Sequence, residues 1–184
     1  MQQIKVKDLM VPLAEYVTVP QNSTVYQAVE ALEQSWAKVS KSGHRHRAVL
    51  VLDRKKNVVG KLSQHAMIRV LEPKYSEIGD LDRLTHFGLN VDFLQSMVEK
   101  QELWTDPLKT LCSRAANLKV KDVMTIPGEE DYIKQDETLG QACHMLVMGH
   151  KLSLLVTKGK QVVGILRLVD VFDKIRELIK TCAI

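Results

Sequence analysis

Aromatic residues are scarce. Trp, Tyr and Phe together make up 5% of the 184 residues, and none interleaves with the basic clusters as a base-stacking nucleic-acid platform requires. There is no large excess of one charge. The net charge is +4, with acidic and basic residues interspersed rather than blocked; this describes a solvated surface and argues against a nucleic-acid partner. No apolar run approaches the ~20 residues that span a bilayer, and Met1 to Asp8 carries charges where a signal peptide has an apolar core. The sequence therefore predicts neither a membrane partner nor export. Cysteine is limited to Cys112, Cys143 and Cys182, without metal or redox spacing. A reducing, cytoplasmic location fits best, and Cys143, on an apolar helical face, reads as a small core residue. Catalytic signatures are also missing: there is no nucleophile–base pair, no paired carboxylate motif and no Walker-type loop, so the chain does not read as an enzyme.

What is present is a repeat. Val6-Lys7-Asp8-Leu9-Met10 returns as Val120-Lys121-Asp122-Val123-Met124, and Val58-Val59-Gly60-Lys61-Leu62-Ser63 returns as Val162-Val163-Gly164-Ile165-Leu166-Arg167. Between them Thr24-Val25-Tyr26-Gln27-Ala28 matches Thr138-Leu139-Gly140-Gln141-Ala142. A duplicated unit implies a pseudo-twofold structure, and clefts between related halves are natural ligand sites. With 45% apolar residues the chain is large enough to bury a core.

The second copy predicts a helical turn at Val120 to Met124, an extended segment at Asp131-Tyr132-Ile133 and a helix capped by Asp136, with Leu139, Ala142, Leu146 and Val147 inward and Gly149 as its stop. Strands at Ser153 to Thr157 and Gln161 to Leu166 follow, then a helix carrying Val169, Phe172, Ile175 and Ile179. The first copy repeats the plan: Val17-Thr18-Val19 extended, a helix capped by Asn22 or Ser23 with Val25, Ala28, Val29 and Leu32 inward, a hairpin of Ala48 to Leu52 with Asn57 to Ser63, and a closing helix from His65 to Leu71 limited by Pro73. An insertion near Val39 to His46, with Gly43, predicts a mobile surface loop. Residues 1–71 form repeat one, 72–118 a helical connecting segment and 119–184 repeat two. The connecting segment carries Leu81, Leu84, Val91, Leu94, Met97, Val98, Leu103, Trp104, Leu108, Leu111 and Cys112 at helical spacing, punctuated by Gly88 and Pro107. It predicts two or three amphipathic helices whose apolar face either covers its own module or meets a second subunit.

Taken in order and repeated twice, Lys-Asp-hydrophobic-Met, the Ala-bearing helix and Val-Val-Gly-x-hydrophobic resemble a tandem CBS-domain protein (a Bateman module) over about two thirds of the chain. The connecting segment lies outside the resemblance. It implies an α/β (α+β) fold of two βαββα repeats packed about a pseudo-twofold axis with an inserted helical segment. It also implies an adenosyl small molecule, AMP, ADP, ATP or S-adenosylmethionine, as ligand, a homodimer of modules, an unidentified effector protein as partner, and no required cofactor beyond an adenine nucleotide acting as regulatory ligand.

The family's ligand signature, Gly-x-x-Thr/Ser-x-x-Asp, places a hydroxyl and helical N–H groups on a phosphate and a carboxylate on the ribose hydroxyls. In copy two it reads Gly164, Arg167, Asp170. Arg167 either holds a phosphate bidentately or folds over the cleft and fills it; Asp170 either reads a ribose or serves the helix dipole. By position the rest of that cleft is Asp131, Tyr132, Ile133, Lys151, Leu152 and Ser153. In copy one Ser63 remains but Ala66 replaces the carboxylate and Lys61 an apolar residue. The resemblance implies a weaker second site at Val17, Thr18, Arg47, Ala48, Lys61 and Ser63, with Ser63 reading first as a helix N-cap. His44-Arg45-His46 lacks the partners of a metal site and reads as a basic loop that could approach a phosphate. His65, His86, His144 and His150 form no cluster. The alternative function is a non-catalytic dimerisation or interaction scaffold with unoccupied nucleotide sites.

Overall fold

A computed structural model describes residues 4–37, 44–76 and 91–182. Of the expected loop at Val39 to His46, residues 39–43 lie outside the described residues, as do Leu81, Leu84, His86 and Gly88. Strands β1 (Val11–Pro12), β2 (Thr18–Pro20), β3 (Ala48–Leu52), β4 (Val58–Ser63), β5 (Tyr132–Lys134), β6 (Ser153–Lys158) and β7 (Gln161–Arg167) form two sheets, ordered β2-β3-β4 and β1-β7-β6-β5. Within each copy the first strand pairs parallel to the second, and the hairpin is antiparallel. Helices α1 (Val25–Ala37) and α2 (Gln64–Arg69) belong to copy one; α3 (Val91–Lys100) and α4 (Leu108–Asn117) to the connecting segment; α5 (Val120–Val123), α6 (Leu139–Met148) and α7 (Leu168–Cys182) to copy two. None of these is long and apolar enough to cross a membrane.

The two copies exchange their opening segments. Val6 donates its N–H to Glu137 and Lys7 to Gln135, both in copy two; Val120 donates to Ser23 and Lys121 to Gln21, both in copy one. β1 pairs with β7, Val11 opposite Ile165, and Thr125 pairs in the same way with Lys61 of β4. The recurring glycines have their reason here. A Cβ on Gly164 would lie 2.6 Å from the Val11 carbonyl oxygen, and one on Gly60 2.2 Å from the Met124 sulfur. The methionine-ended segment of each copy thus lies against the glycine strand of the other, backbone against Gly164 and the Met124 side chain against Gly60.

Two apolar layers lie under the helices. Val19, Val25, Ala28, Leu32, Val49, Val51 and Leu62 pack with Val120 in one. Ile133, Leu139, Ala142, Leu146, Leu154, Val156 and Leu166 pack with Val6 in the other. A third layer, between the sheets, is built on Tyr16, Leu50, Leu155 and Ile165.

Several details differ from the sequence expectation. The caps are Thr24 and Thr138, whose hydroxyls accept the N–H of Gln27 and Gln141 at 3.2 Å; Asp136 instead pairs with Lys7 across the copies. Val29 and Val147 are 44% and 66% exposed, each one position beyond the stripe that meets its sheet. On α7 the inward face is Val171 with Ile175 and Leu178, while Phe172 and Ile179 point outward, 60% and 63% exposed. The connecting segment covers its own module in part. Leu111 and Ala115 of α4 are buried, and α4 packs against α1. Glu72, itself buried, ties the segment's ends by accepting the N–H of Lys74 and of Trp104.

Candidate functional site

The closing helix of each copy begins where its last strand ends, at Ser63 and at Arg167. Ser63 is the N-cap of α2, its hydroxyl accepting the Ala66 N–H at 3.1 Å. At the matching position Arg167 does something different. Its Nε and Nη2 grip both carboxylate oxygens of Asp170, with Nε to Oδ2 at 2.6 Å. The pair is nearly enclosed, the two side chains being 7% and 13% exposed. A guanidinium fork and a carboxylate are matched for this bidentate contact. In this structure the Arg167 guanidinium is paired with Asp170.

Copy one closes over this pair. Arg167 Nη1 donates to the His44 carbonyl at 3.2 Å and lies 3.4 Å from His46 Nδ1. Tyr16 meets the His46 ring edge-on at 4.3 Å between centroids, and the His46 carbonyl accepts from the Trp36 indole at 2.9 Å. Arg45 stacks over Trp36, and His44 pairs with Asp173 of α7, whose carboxyl that hydrogen bond holds below its ordinary range. Residues 44–46 are thus docked, not part of a mobile loop. Burial pushes the Tyr16 phenol up to about 12. Burial first, then the Arg167 charge, holds His46 below its usual value, so a neutral ring faces the guanidinium.

Asp131 and Lys151, assigned by position to the same cleft, form a second group. Lys151 Nζ lies 2.6 Å from Asp131 Oδ1, and the other oxygen of Asp131 accepts the Gly128 N–H. Lys61 of copy one donates to the Ser153 hydroxyl at 3.2 Å. Lys61, Thr125, Pro127, Asp131, Ser153 and Leu155 line a cavity of about 20 Å³, room for about one water. Burial lowers the Lys61 ammonium from its ordinary value, with Asp131 acting in the opposite direction. Among the described residues no side-chain hydrogen bond joins this group to the Arg167–Asp170 group. Each cleft is therefore walled by both copies, because the sheets face each other and the strand ends of one meet the loops of the other.

The remaining positions have plainer settings. Gly164 admits the Val11 backbone. Ile133 is core. Leu152 is exposed, its carbonyl accepting the Leu168 N–H. Tyr132 packs between the sheets. Val17 and Thr18 are half-buried, the Val17 carbonyl and the strand register of Thr18 both meeting Leu50. Arg47 is exposed and offers its carbonyl to Gln64, and Ala48 is buried opposite Ser63. Tyr16, Thr125 and Pro127 carried no sequence signal of their own. Ala48 stands opposite Ser63 as Ser153 stands opposite Arg167, so the hairpin register relates His46 to Lys151 and points to His46.

A family model for the CBS domain matches residues 6–73 and 120–177. The chain belongs to the CBS-domain family. As a CBS pair it shares its fold with CBSX2 of Arabidopsis thaliana, solved in complex with AMP, at a TM-score of 0.59 and 19% identity, covering 95% of this chain and 98% of that one. A CBS domain-containing protein of Bacillus anthracis gives 0.63 at 17% identity, covering 96% and 95%. A conserved protein of Pyrococcus horikoshii gives 0.60 at 15%, covering 96% and 95%. A search of curated proteins finds no match.

Proposed function

We propose that this CBS pair is a regulatory module that takes an adenosine-containing nucleotide in the cleft of Arg167 and Asp170 and passes the signal to an effector protein. The observation that carries the reading is the Arg167–Asp170 pair: a carboxylate in the first turn of the closing helix, with a guanidinium at the position where a phosphate would arrive. AMP in CBSX2, a protein of the same fold, supports it. Ligand entry exchanges one bidentate partner of Arg167 for another, carboxylate for phosphate, and leaves Asp170 to accept the ribose hydroxyls. A nucleoside without phosphate offers Arg167 nothing in return. Moving Arg167 also breaks its contacts to His44 and His46, which connects the cleft to Trp36 and the α7 carboxylate Asp173. Asp131, Lys151, Lys61, Ser63 and their neighbours form the weaker site, without a ribose-reading carboxylate at Ala66.

A mononucleotide of about 23 heavy atoms at roughly 0.3 kcal/mol per atom gives a dissociation constant near 10 μM. Ligand at 100 times that value adds about 2.7 kcal/mol, a rise of about 5–10 °C in Tm. The test is thermal denaturation with AMP, ADP, ATP and S-adenosylmethionine, in wild type and Asp170→Ala. If no adenosyl compound moves the wild-type Tm, the sensor reading fails. A shift that survives Asp170→Ala removes Asp170 as ribose reader.

The second reading is a non-catalytic interaction scaffold, favoured by how fully Arg167 and Lys151 already saturate Asp170 and Asp131. In both readings no reaction is assigned, the chain works as a homodimer in the reducing cytoplasm, and the other subunit covers the outward apolar stripe of Leu168, Phe172 and Ile179 beside Leu152.

A further inference from the structure

At the ends of β4 and β7 farthest from Ser63 and Arg167, the two hairpin turns lie side by side around a groove of about 650 Å³. Three pseudo-equivalent pairs line it, Lys56 with Lys160, Asn57 with Gln161 and Val58 with Val162. The groove therefore sits on the pseudo-twofold axis, away from both clefts. Lys55 adds a third ammonium, and Tyr132 with the two valines supplies a half-buried floor. Among the described residues no Asp or Glu lines the groove. Asp53, the acid of the first turn, points back into that turn, accepting the N–H groups of Lys55 and Asn57 at 2.8 Å and the Asn57 amide at 3.0 Å. Among the described residues none of the three lysines takes part in an ion pair. Lys56 holds φ at 64°, and Gly159, which precedes Lys160 in the second turn, holds 62°. That conformation disfavours any residue with a Cβ, yet a lysine occupies it.

We propose that this groove binds a small polyphosphate, a molecule with two or more linked phosphate groups lying across the axis between Lys56 and Lys160. Like charges on both sides of one groove repel each other until an anion lies between them. Matching ammonium groups from related positions suit a ligand with the same anionic group at both ends. The polar side chains of Asn57 and Gln161 line the same groove, and its volume lies in the range of small-molecule sites. This site uses neither Arg167 nor Asp170, so it stands independently of the adenosyl reading.

The test is calorimetric titration of the full chain with inorganic tripolyphosphate and with orthophosphate at one fixed ionic strength. One tripolyphosphate should bind per chain, at least tenfold tighter than orthophosphate. A hydrogen-bonded charge contact is worth about a factor of ten, so Lys160→Ala and Lys56→Gly should each weaken binding about tenfold. Lys56→Gly suits the turn and separates loss of charge from loss of fold. Lys109→Ala, which removes an exposed lysine of α4, should bind as wild type does. Equal affinity for the two anions, an effect of Lys109→Ala as large as that of Lys160→Ala, or unchanged binding in both groove variants would overturn the proposal.

Discussion

Lys61 shows most clearly how one residue has diverged between the copies. Its strand partner is Leu50, and its counterpart, Ile165, pairs with Leu155 in the layer between the sheets. An ammonium now stands where the other half has a methyl-bearing side chain, with the Ser153 hydroxyl as its hydrogen-bond acceptor. Burial lowers its pKa from 10.5, so the charged form is less favourable in the folded than in the unfolded chain. The resulting penalty is complete below the folded pKa and is relieved as pH rises from there to 10.5. Lys61→Ile should therefore raise Tm at pH 7, and its advantage over wild type should shrink towards pH 10. Melts of both proteins at the two pH values decide it; an advantage independent of pH would place the gain in packing alone. Lys61 was visible in the sequence as a departure from the apolar pattern. Its contact with Ser153 was not, because that bond spans two sheets whose facing no local pattern encodes.

At the scale of elements, α4 decides whether the connecting segment is a tether or part of the fold. Leu111, 2% exposed, and Ala115 face α1 of copy one. Leu111→Ala should cost about 2–5 kcal/mol. Hydrogen exchange should then rise in both α4 and α1; a change confined to α4 would make the helix an appendage. The helices were legible because their apolar residues recur at helical spacing, and the hairpins because Asp53 to Lys56 and Lys158-Gly159 interrupt apolar runs. The caps were misplaced by one or two residues for a physical reason. Asn22, Ser23 and Asp136 are all competent N-cap types, and the choice of Thr24 and Thr138 follows from backbone far away in the chain. Leu118 accepts the N–H of Val25 and Ile4 that of Leu139, which fixes where each helix can start. Arg167 was undecided for a similar reason: the carbonyl and ring that hold its guanidinium belong to His44 and His46, more than 120 residues earlier.

For the molecule as a whole, the outward stripe on α7 bears on assembly. Phe172→Glu places a charge in the middle of that stripe without touching Val171 or the core beneath it. Sedimentation or light scattering should show the wild type as a dimer and the variant as a monomer with an unchanged Tm for the isolated chain; a variant that stays dimeric moves the contact to another face. The exchange of opening segments reaches further. Each bond in it has a twin: Val6 to Glu137 and Val120 to Ser23, Val11 against Ile165 and Thr125 against Lys61. A lone copy could make every one of them with an identical neighbour, at a strength that depended on its concentration. Joining two copies in one chain removed that dependence. It also removed the obligation to stay alike, since a change in a shared subunit appears on both sides of the axis at once, whereas in a fused chain it appears on one. Lys61 opposite Ile165, and Arg167 opposite Ser63, are differences that a dimer of single copies could not hold.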